Sequence, residues 1–444
     1  MCSITFGESD LQRESRKPLL EMYRIHRFSS GVTVVTAEMP HMASVSLGIW
    51  VGVGGRYEPE PLCGVSHFIE HMLFKGTRRR TSHQISQDVE GVGGYLNAFT
   101  TEENTCFYSK AQADRLPELW DVLSDMFLHS KFDEGEIEKE RNVIKEELAM
   151  YLDQPHQHVQ ELLDETLWPD QPLGRSLTGT DRTLNLMRRA HLLDYFDANY
   201  VSRSTLISGA GNLRHAESVK IVAPFARKLA RKPRPTFAPV RISQTAPRLR
   251  LFTKDTEQTQ ISLGLRACSR HDVKRYALRL LDAILGENTS SRLFQIVRED
   301  HGLAYSIYSS PTFFEDAGML AVSAGVETRR LSKALKLIIK ELVRFTRVPP
   351  TAGEVRRARD YVIGQIDLGL ENTENQMMWA GEQLLAYGQV LLPSEVKRRL
   401  GEVTPSQIRA VAREYFHPNR ASLALVSPLK NVSSLERLLR WQAG

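Results

Sequence analysis

Between positions 227 and 245 the chain runs through a stretch rich in Arg, Lys and Pro, with Lys232-Pro233-Arg234-Pro235 at its centre. Such a composition reads as an extended, semi-rigid connector, and it constrains the fold more than any other feature. It separates a unit of residues 1–226 from a unit of residues 246–444, each within the usual size of a domain. The two units echo one another. Leu193-Asp194-Tyr195-Phe196-Asp197-Ala198-Asn199 precedes an apolar run at 204–208, and Arg413-Glu414-Tyr415-Phe416-His417-Pro418-Asn419 precedes another at 422–426. Ser46-Leu47-Gly48, in an early apolar run, returns as Ser262-Leu263-Gly264. We read this as a duplication. Apolar and β-branched runs at 32–37, 43–53, 104–110 and 204–209 predict strands. Helical periodicity predicts helices over 66–74, 116–128, 134–151, 156–167, 273–285, 331–345, 352–367 and 373–387. Strands and long helices in both units predict an α+β fold with helices layered on a sheet.

Composition narrows the class. Hydrophobic residues at 41% and charged residues at 25% are ordinary for a soluble globular chain. A net charge of +5 over 444 residues is mild and does not predict a nucleic-acid partner. The densest basic runs, Lys75 with Arg78, Arg79 and Arg80, and residues 227–234, read as solvated loops. Four cysteines without a CxxC spacing (Cys2, Cys63, Cys106 and Cys268) argue against a disulfide framework and for a reducing, cytoplasmic setting. The first residues contain no apolar secretory segment, and Glu8, Asp10 and Glu14 are out of place in a mitochondrial presequence. No run of 18 apolar residues predicts a membrane span.

The chemistry concentrates at His67-Phe68-Ile69-Glu70-His71. Residues four apart on a helix share a face, so His67 and His71 can grip one ion between neutral imidazoles. Glu70 can then reach a water on that ion without being a ligand. Ser66 is positioned to cap this helix, and Phe68 and Met72 to anchor its other side. The acid-rich helix at 134–151 carries Glu140, Glu146 and Glu147. A third ligand from it would leave a fourth position open for water. Glu140 and Glu147 are two turns apart on one face, and Glu140 could support a ligand from behind. Spacing alone leaves Glu146 and Glu147 both open as the third ligand.

His67-Phe-Ile-Glu-His71-Met-Leu-Phe-Lys-Gly-Thr77, followed by Glu140-Arg-Asn-Val-Ile-Lys-Glu-Glu147, closely resembles the M16 metallopeptidases, the relatives of pitrilysin, insulin-degrading enzyme and mitochondrial processing peptidase. The resemblance spans nearly the whole chain. It implies two similar domains, each an antiparallel-rich sheet packed with helices. It implies one Zn²⁺ per chain held by His67, His71 and Glu147, with Glu70 as base and Glu140 as the family's second functional glutamate. It implies a zinc endopeptidase that cleaves unfolded peptides or flexible segments inside a closed chamber formed by two chains, here a homodimer or a pair with a related chain. Members that keep the fold but lose the chemistry make a non-catalytic partner subunit the alternative. Gly93-Gly94-Tyr95-Leu96-Asn97-Ala98-Phe99-Thr100 resembles the family's substrate-binding edge strand, which marks Asn97, Ala98 and Phe99 as peptide contacts. Arg298 and Tyr305 match the arginine and tyrosine that reach the substrate from the second half. The stretch Gly286-Glu287-Asn288-Thr289 departs from the glycine-richer pattern of relatives. Outside these motifs, Cys63 is not expected to be a ligand, His156 and His158 read as surface residues, and Glu102 and Glu103 as a solvated turn.

Overall fold

A computed structural model describes residues 22–442; Cys2, Glu8, Asp10 and Glu14 lie outside the described residues. The strands of the first half are β1 (Tyr23–Arg27), β2 (Thr33–Glu38), β3 (Ser44–Val51), β4 (Tyr95–Thr100), β5 (Thr105–Gln112) and β6 (Thr205–Gly211). They form one sheet in the order β1-β2-β6-β3-β5-β4, in which only β2 and β6 run parallel. The second half contributes β7 (Arg248–Thr253), β8 (Gln258–Ala267), β9 (Ala304–Phe313), β10 (Gly318–Glu327) and β11 (Ala421–Ser427). These follow the order β7-β11-β8-β10-β9, with the single parallel pair β7 and β11. Apart from the additional edge strand β1, the two sheets have the same topology. The repeated Tyr-Phe motifs stand before β6 and β11, which occupy the same slot in their sheets. The fold is therefore a mixed, antiparallel-rich α+β architecture with helices packed on two related sheets. Residues 230–245 between them form no regular secondary structure.

Both faces of each central strand are covered, and the two-residue period shows how. Along β3, Val45, Leu47, Ile49 and Val51 enter the core beneath the helices of their own half. Ser46, Gly48 and Trp50 face the other way, where the helix Thr373–Tyr387 from the second half crosses the sheet. Along β8, Ile261, Leu263 and Leu265 enter the second core. The far face of that sheet is covered by the helix Pro155–Leu167 from the first half. Each half thus lends a helix to the other. The repeated Ser-Leu-Gly has its physical reason here. A Cβ on Gly48 would lie 2.7 Å from Met377 Sδ, and one on Gly264 would lie 2.7 Å from Leu167 Cδ1. Small residues let the visiting helix approach, and the serines bind it: Ser46 to Thr373 at 2.9 Å, Ser262 to Gln160 at 3.2 Å.

This exchange overturns two local expectations. His158 lies on the lent helix and is buried, with its ring edge-on to Phe252 at 4.3 Å; only His156 is exposed. Glu103 is not in a solvated turn either. It accepts from Arg56 at 2.7 Å and pairs with Arg270 of the second half. Arg56 is 1% exposed, also bonds Asp316 at 2.6 Å and stacks on Phe237 of the connector at 3.8 Å. These charges, taken from both halves, form with the connector's Phe237 a largely buried junction. Among the described residues no helix is long and apolar enough to cross a membrane.

Candidate metal centre

The helix Val65–Leu73 carries the His-x-x-Glu-His motif, and its apolar side, with Phe68, Ile69 and Met72, is buried in the first core. Its cap differs from expectation. Ser66 lies inside the first turn, and its hydroxyl is 3.2 Å from that of Tyr195. The free amides at the helix start are instead met by Glu58, whose two oxygens accept from Gly64 N–H and Ser66 N–H at 2.7 Å each. Gly64 turns into the helix at φ +92°, a left-handed conformation suited to glycine. Burial pushes the Glu58 carboxyl up to about 7 despite these two bonds.

The helix Glu134–Asp153 packs against the motif helix. Glu140, Ile144, Glu147 and Tyr151 recur along it at i, i+4, i+7 and i+11, one straight row. Glu147 Oε2 lies 3.7 Å from His67 Nε2 and 3.6 Å from His71 Nε2, whereas Glu146 is exposed. One ligand atom from each of His67, His71 and Glu147 falls within 4.8 Å of the others. Zinc bound at about 2.0–2.1 Å in tetrahedral geometry spaces its ligand atoms by roughly 3.3–3.5 Å. Two imidazole nitrogens converging on one carboxylate oxygen therefore fit such an ion. The electrostatics agree. Burial, with the neighbouring His71, holds His67 down to about 4, so it offers a neutral ring. Burial opposes a charge on His71, yet the neighbouring carboxylates of Glu147 and Glu140 raise it, as expected of a place that favours positive charge. The nearby His71, 3.6 Å away, pulls Glu147 down to about 2 against the effect of burial.

The surrounding groups fix the orientation of this set. Glu140 Oε2 is 3.1 Å from His71 Nδ1, and Glu140 Oε1 accepts from Lys75 Nζ at 2.7 Å. A ligating histidine commonly gives its second N–H to such a carboxylate, which sets its tautomer. Tyr151 donates to Glu147 Oε1 at 2.8 Å. Glu70 accepts from the Thr100 hydroxyl at 2.5 Å, and its carboxyl is raised by burial. Because Thr100 ends β4, the glutamate is tied to the outermost strand of the first sheet. Asn97 and Tyr95 are exposed on that edge, while Phe99 turns in against Trp50 at 5.7 Å.

Arg298 and Tyr305 stand apart from this cluster, on the second half. Tyr305 is 77% exposed on the edge strand β9, and the Arg298 guanidinium lies 5.5 Å from its ring centre. Among the described residues no hydrogen bond or ion pair joins either to the histidines. Cys63 is buried, and its thiol donates to Ser176 O at 3.3 Å. The basic run at 75–80 is a solvated loop only in part: Arg78 and Arg79 are exposed, whereas Lys75 and Arg80 are engaged. Lys75 supports Glu140, and Arg80 reaches Asp88, Asp121 and Asp125 at 2.5–2.9 Å. Lys75 and Tyr151 were each within reach of sequence reasoning, four positions after His71 and Glu147. Glu58 and Thr100 carried no such signal.

The duplicated fold and a donor set shared by two helices suit a protein that holds a metal ion, and comparison with known proteins gives its family. Residues 33–181 match the family described as insulinase, peptidase family M16, and residues 187–362 match the M16 inactive domain. A Streptomyces coelicolor protein described as an uncharacterized zinc protease is 36% identical over 90% of this chain and 88% of its own. A Bacillus subtilis protein of the same description is 35% identical over 93% of this chain and 100% of its own. A protease from Helicobacter pylori superposes with a TM-score of 0.86 at 18% identity, covering 91% of this chain and 99% of its own. The chain belongs to peptidase family M16.

Proposed function

We propose that this chain is a zinc-dependent endopeptidase that hydrolyses peptide bonds in unfolded peptides or flexible segments, within a chamber enclosed by two paired chains. The observation that carries this reading is the convergence of His67, His71 and Glu147 beside the half-buried carboxylate of Glu70. The relatives named as zinc proteases support it. One Zn²⁺ held by these three residues would polarise a carbonyl and lower the pKa of water to about 7. Glu70 is the proton carrier. It accepts a proton from the attacking water and delivers it to the leaving nitrogen. Its raised carboxyl suits that exchange, and Thr100 holds its orientation. Glu140, braced by Lys75, keeps the His71 ring turned toward Glu147. The exposed edge of β4 offers main-chain N–H and C=O groups to which an extended substrate can add as a further strand, with Asn97, Ala98 and Phe99 beside it. Arg298 and Tyr305 supply donors for a peptide carbonyl from the second half.

Zinc content and cleavage of an unstructured peptide library, measured for wild type and Glu70→Gln side by side, test this. One zinc in both proteins with cleavage by wild type alone is expected. Full activity in the variant would remove Glu70 from its role. Zinc without cleavage in either would leave a non-catalytic partner subunit as the better reading.

A further inference from the structure

We propose that Tyr151 is a positioning residue that holds one oxygen of Glu147 away from the metal, so that this ligand binds through a single atom. The inference rests on the zinc-site reading above. It starts from an asymmetry in the Glu147 carboxylate. Oε2 faces both imidazoles at 3.6 and 3.7 Å, while Oε1 accepts the Tyr151 hydroxyl at 2.8 Å. The terminal torsion of a glutamate is soft, so nothing within the side chain itself prevents the two oxygens from sharing one cation. The restraint has to come from outside. Tyr151 lies one turn beyond Glu147 on the same helix and the same face, so its reach is set by helix geometry and not by a mobile loop.

The hydroxyl is suited to this duty. A phenol has a single O–H to give, and Tyr151 gives it to Glu147 Oε1. Glu140 treats the other half of the site in the same way, since it holds His71 from behind while Lys75 holds Glu140. The ligands His71 and Glu147 thus each have an outer partner. His67 has none among the described residues, for its buried Nδ1 makes no hydrogen bond. The two supported ligands are fixed by the row Glu140–Tyr151, and a one-pronged Glu147 preserves a free coordination position for water and substrate.

The test compares Co²⁺-substituted wild type with Tyr151→Phe by visible absorption, together with Zn²⁺ affinity by competition with a chromophoric chelator. Met150→Ala, at a 48% exposed neighbouring position, controls for disturbance of the helix. The expected result is an intense four-coordinate cobalt band in wild type and Met150→Ala. In Tyr151→Phe the band should weaken as the second oxygen binds, with Zn²⁺ affinity about tenfold lower. An unchanged band in Tyr151→Phe overturns the proposal whether or not affinity falls, because a loss of affinity alone would mark a structural role. If wild type binds neither metal, the zinc-site reading itself fails, and that outcome is distinct from a failure confined to Tyr151.

Discussion

Two glycines inside helices should respond to the same substitution with opposite sign. Gly364 lies within the helix Ala352–Gly369, and a Cβ there would meet nothing within 4 Å. Gly381 lies within the lent helix Thr373–Tyr387, and its Cβ would press into the indole of Trp50, reaching Nε1 and Cε2 and lying 2.8 Å from Cζ2. Replacing a helical glycine by alanine gains about 0.5–1 kcal/mol from backbone entropy and propensity. Gly364→Ala should keep that gain. At Gly381 the ring would have to retreat by about 1 Å to reach ordinary carbon contact. Trp50 is fully buried and its Nε1 donates to Ser208 at 2.7 Å, so it has little room to do so. Overpacking of this kind costs about 1–3 kcal/mol, and a strained hydrogen bond about 1 more. The net expectation for Gly381→Ala is a loss of roughly 1–3 kcal/mol. Urea unfolding of the two variants beside wild type, compared at constant slope, measures both. A Gly381→Ala midpoint at or above that of wild type would refute the claim that the helix and sheet are in tight contact. A fall for Gly364→Ala would refute the baseline.

Lys75→Met should lower zinc affinity about tenfold by releasing Glu140. In a Glu140→Gln background it should add nothing, and additive losses in chelator competition would disconnect the two residues. Glu58 is a carboxyl whose folded pKa is raised to about 7, so its contribution to stability is present at low pH and lost as pH rises toward that value. Between about pH 4.5 and 7 wild type should therefore lose stability relative to Glu58→Gln, and parallel stability profiles would contradict this. Arg56→Met removes one partner from a buried ion cluster and should cost about 3 kcal/mol, the low end for such a break because Glu103 retains Arg270. Its readout is faster proteolysis of the connector at 230–245, and unchanged cleavage there would mean that the junction does not hold the halves together.

Much of the candidate site was legible because its logic is short-range. The pairing of His67 with His71, and the place of Glu70 between them, follow from the pitch of one helix. The periodicity of Glu134–Asp153 likewise puts Glu140 and Glu147 in one row before any partner is known. Which face of that helix meets the motif could not be read from spacing. Glu146 and Glu147 differ by a rotation of about 100° around the axis, and only packing against the motif helix makes Glu147 the one that faces the imidazoles. The cap from Glu58, the tether from Thr100 and the junction of Arg56 with Glu103 and Asp316 were hidden for the same reason. Their partners come from other elements, so no local period encodes them.

The Ser-Leu-Gly repeat marks the boundary between the two kinds of information. By itself the sequence determined that the halves are related, that each holds strands and amphipathic helices, and where one metal motif lies. Those properties depend on neighbours within a turn or two of the chain. Only the tertiary structure decided that Gly48 and Gly264 are bare so that a helix from the opposite half can lie against each sheet, that His158 is buried on one of those helices, and that Lys75 braces a glutamate instead of facing water. Such outcomes depend on which surfaces meet. Burial and electrostatic partnership are properties of that meeting, and residues hundreds of positions apart acquire them only once the chain has folded.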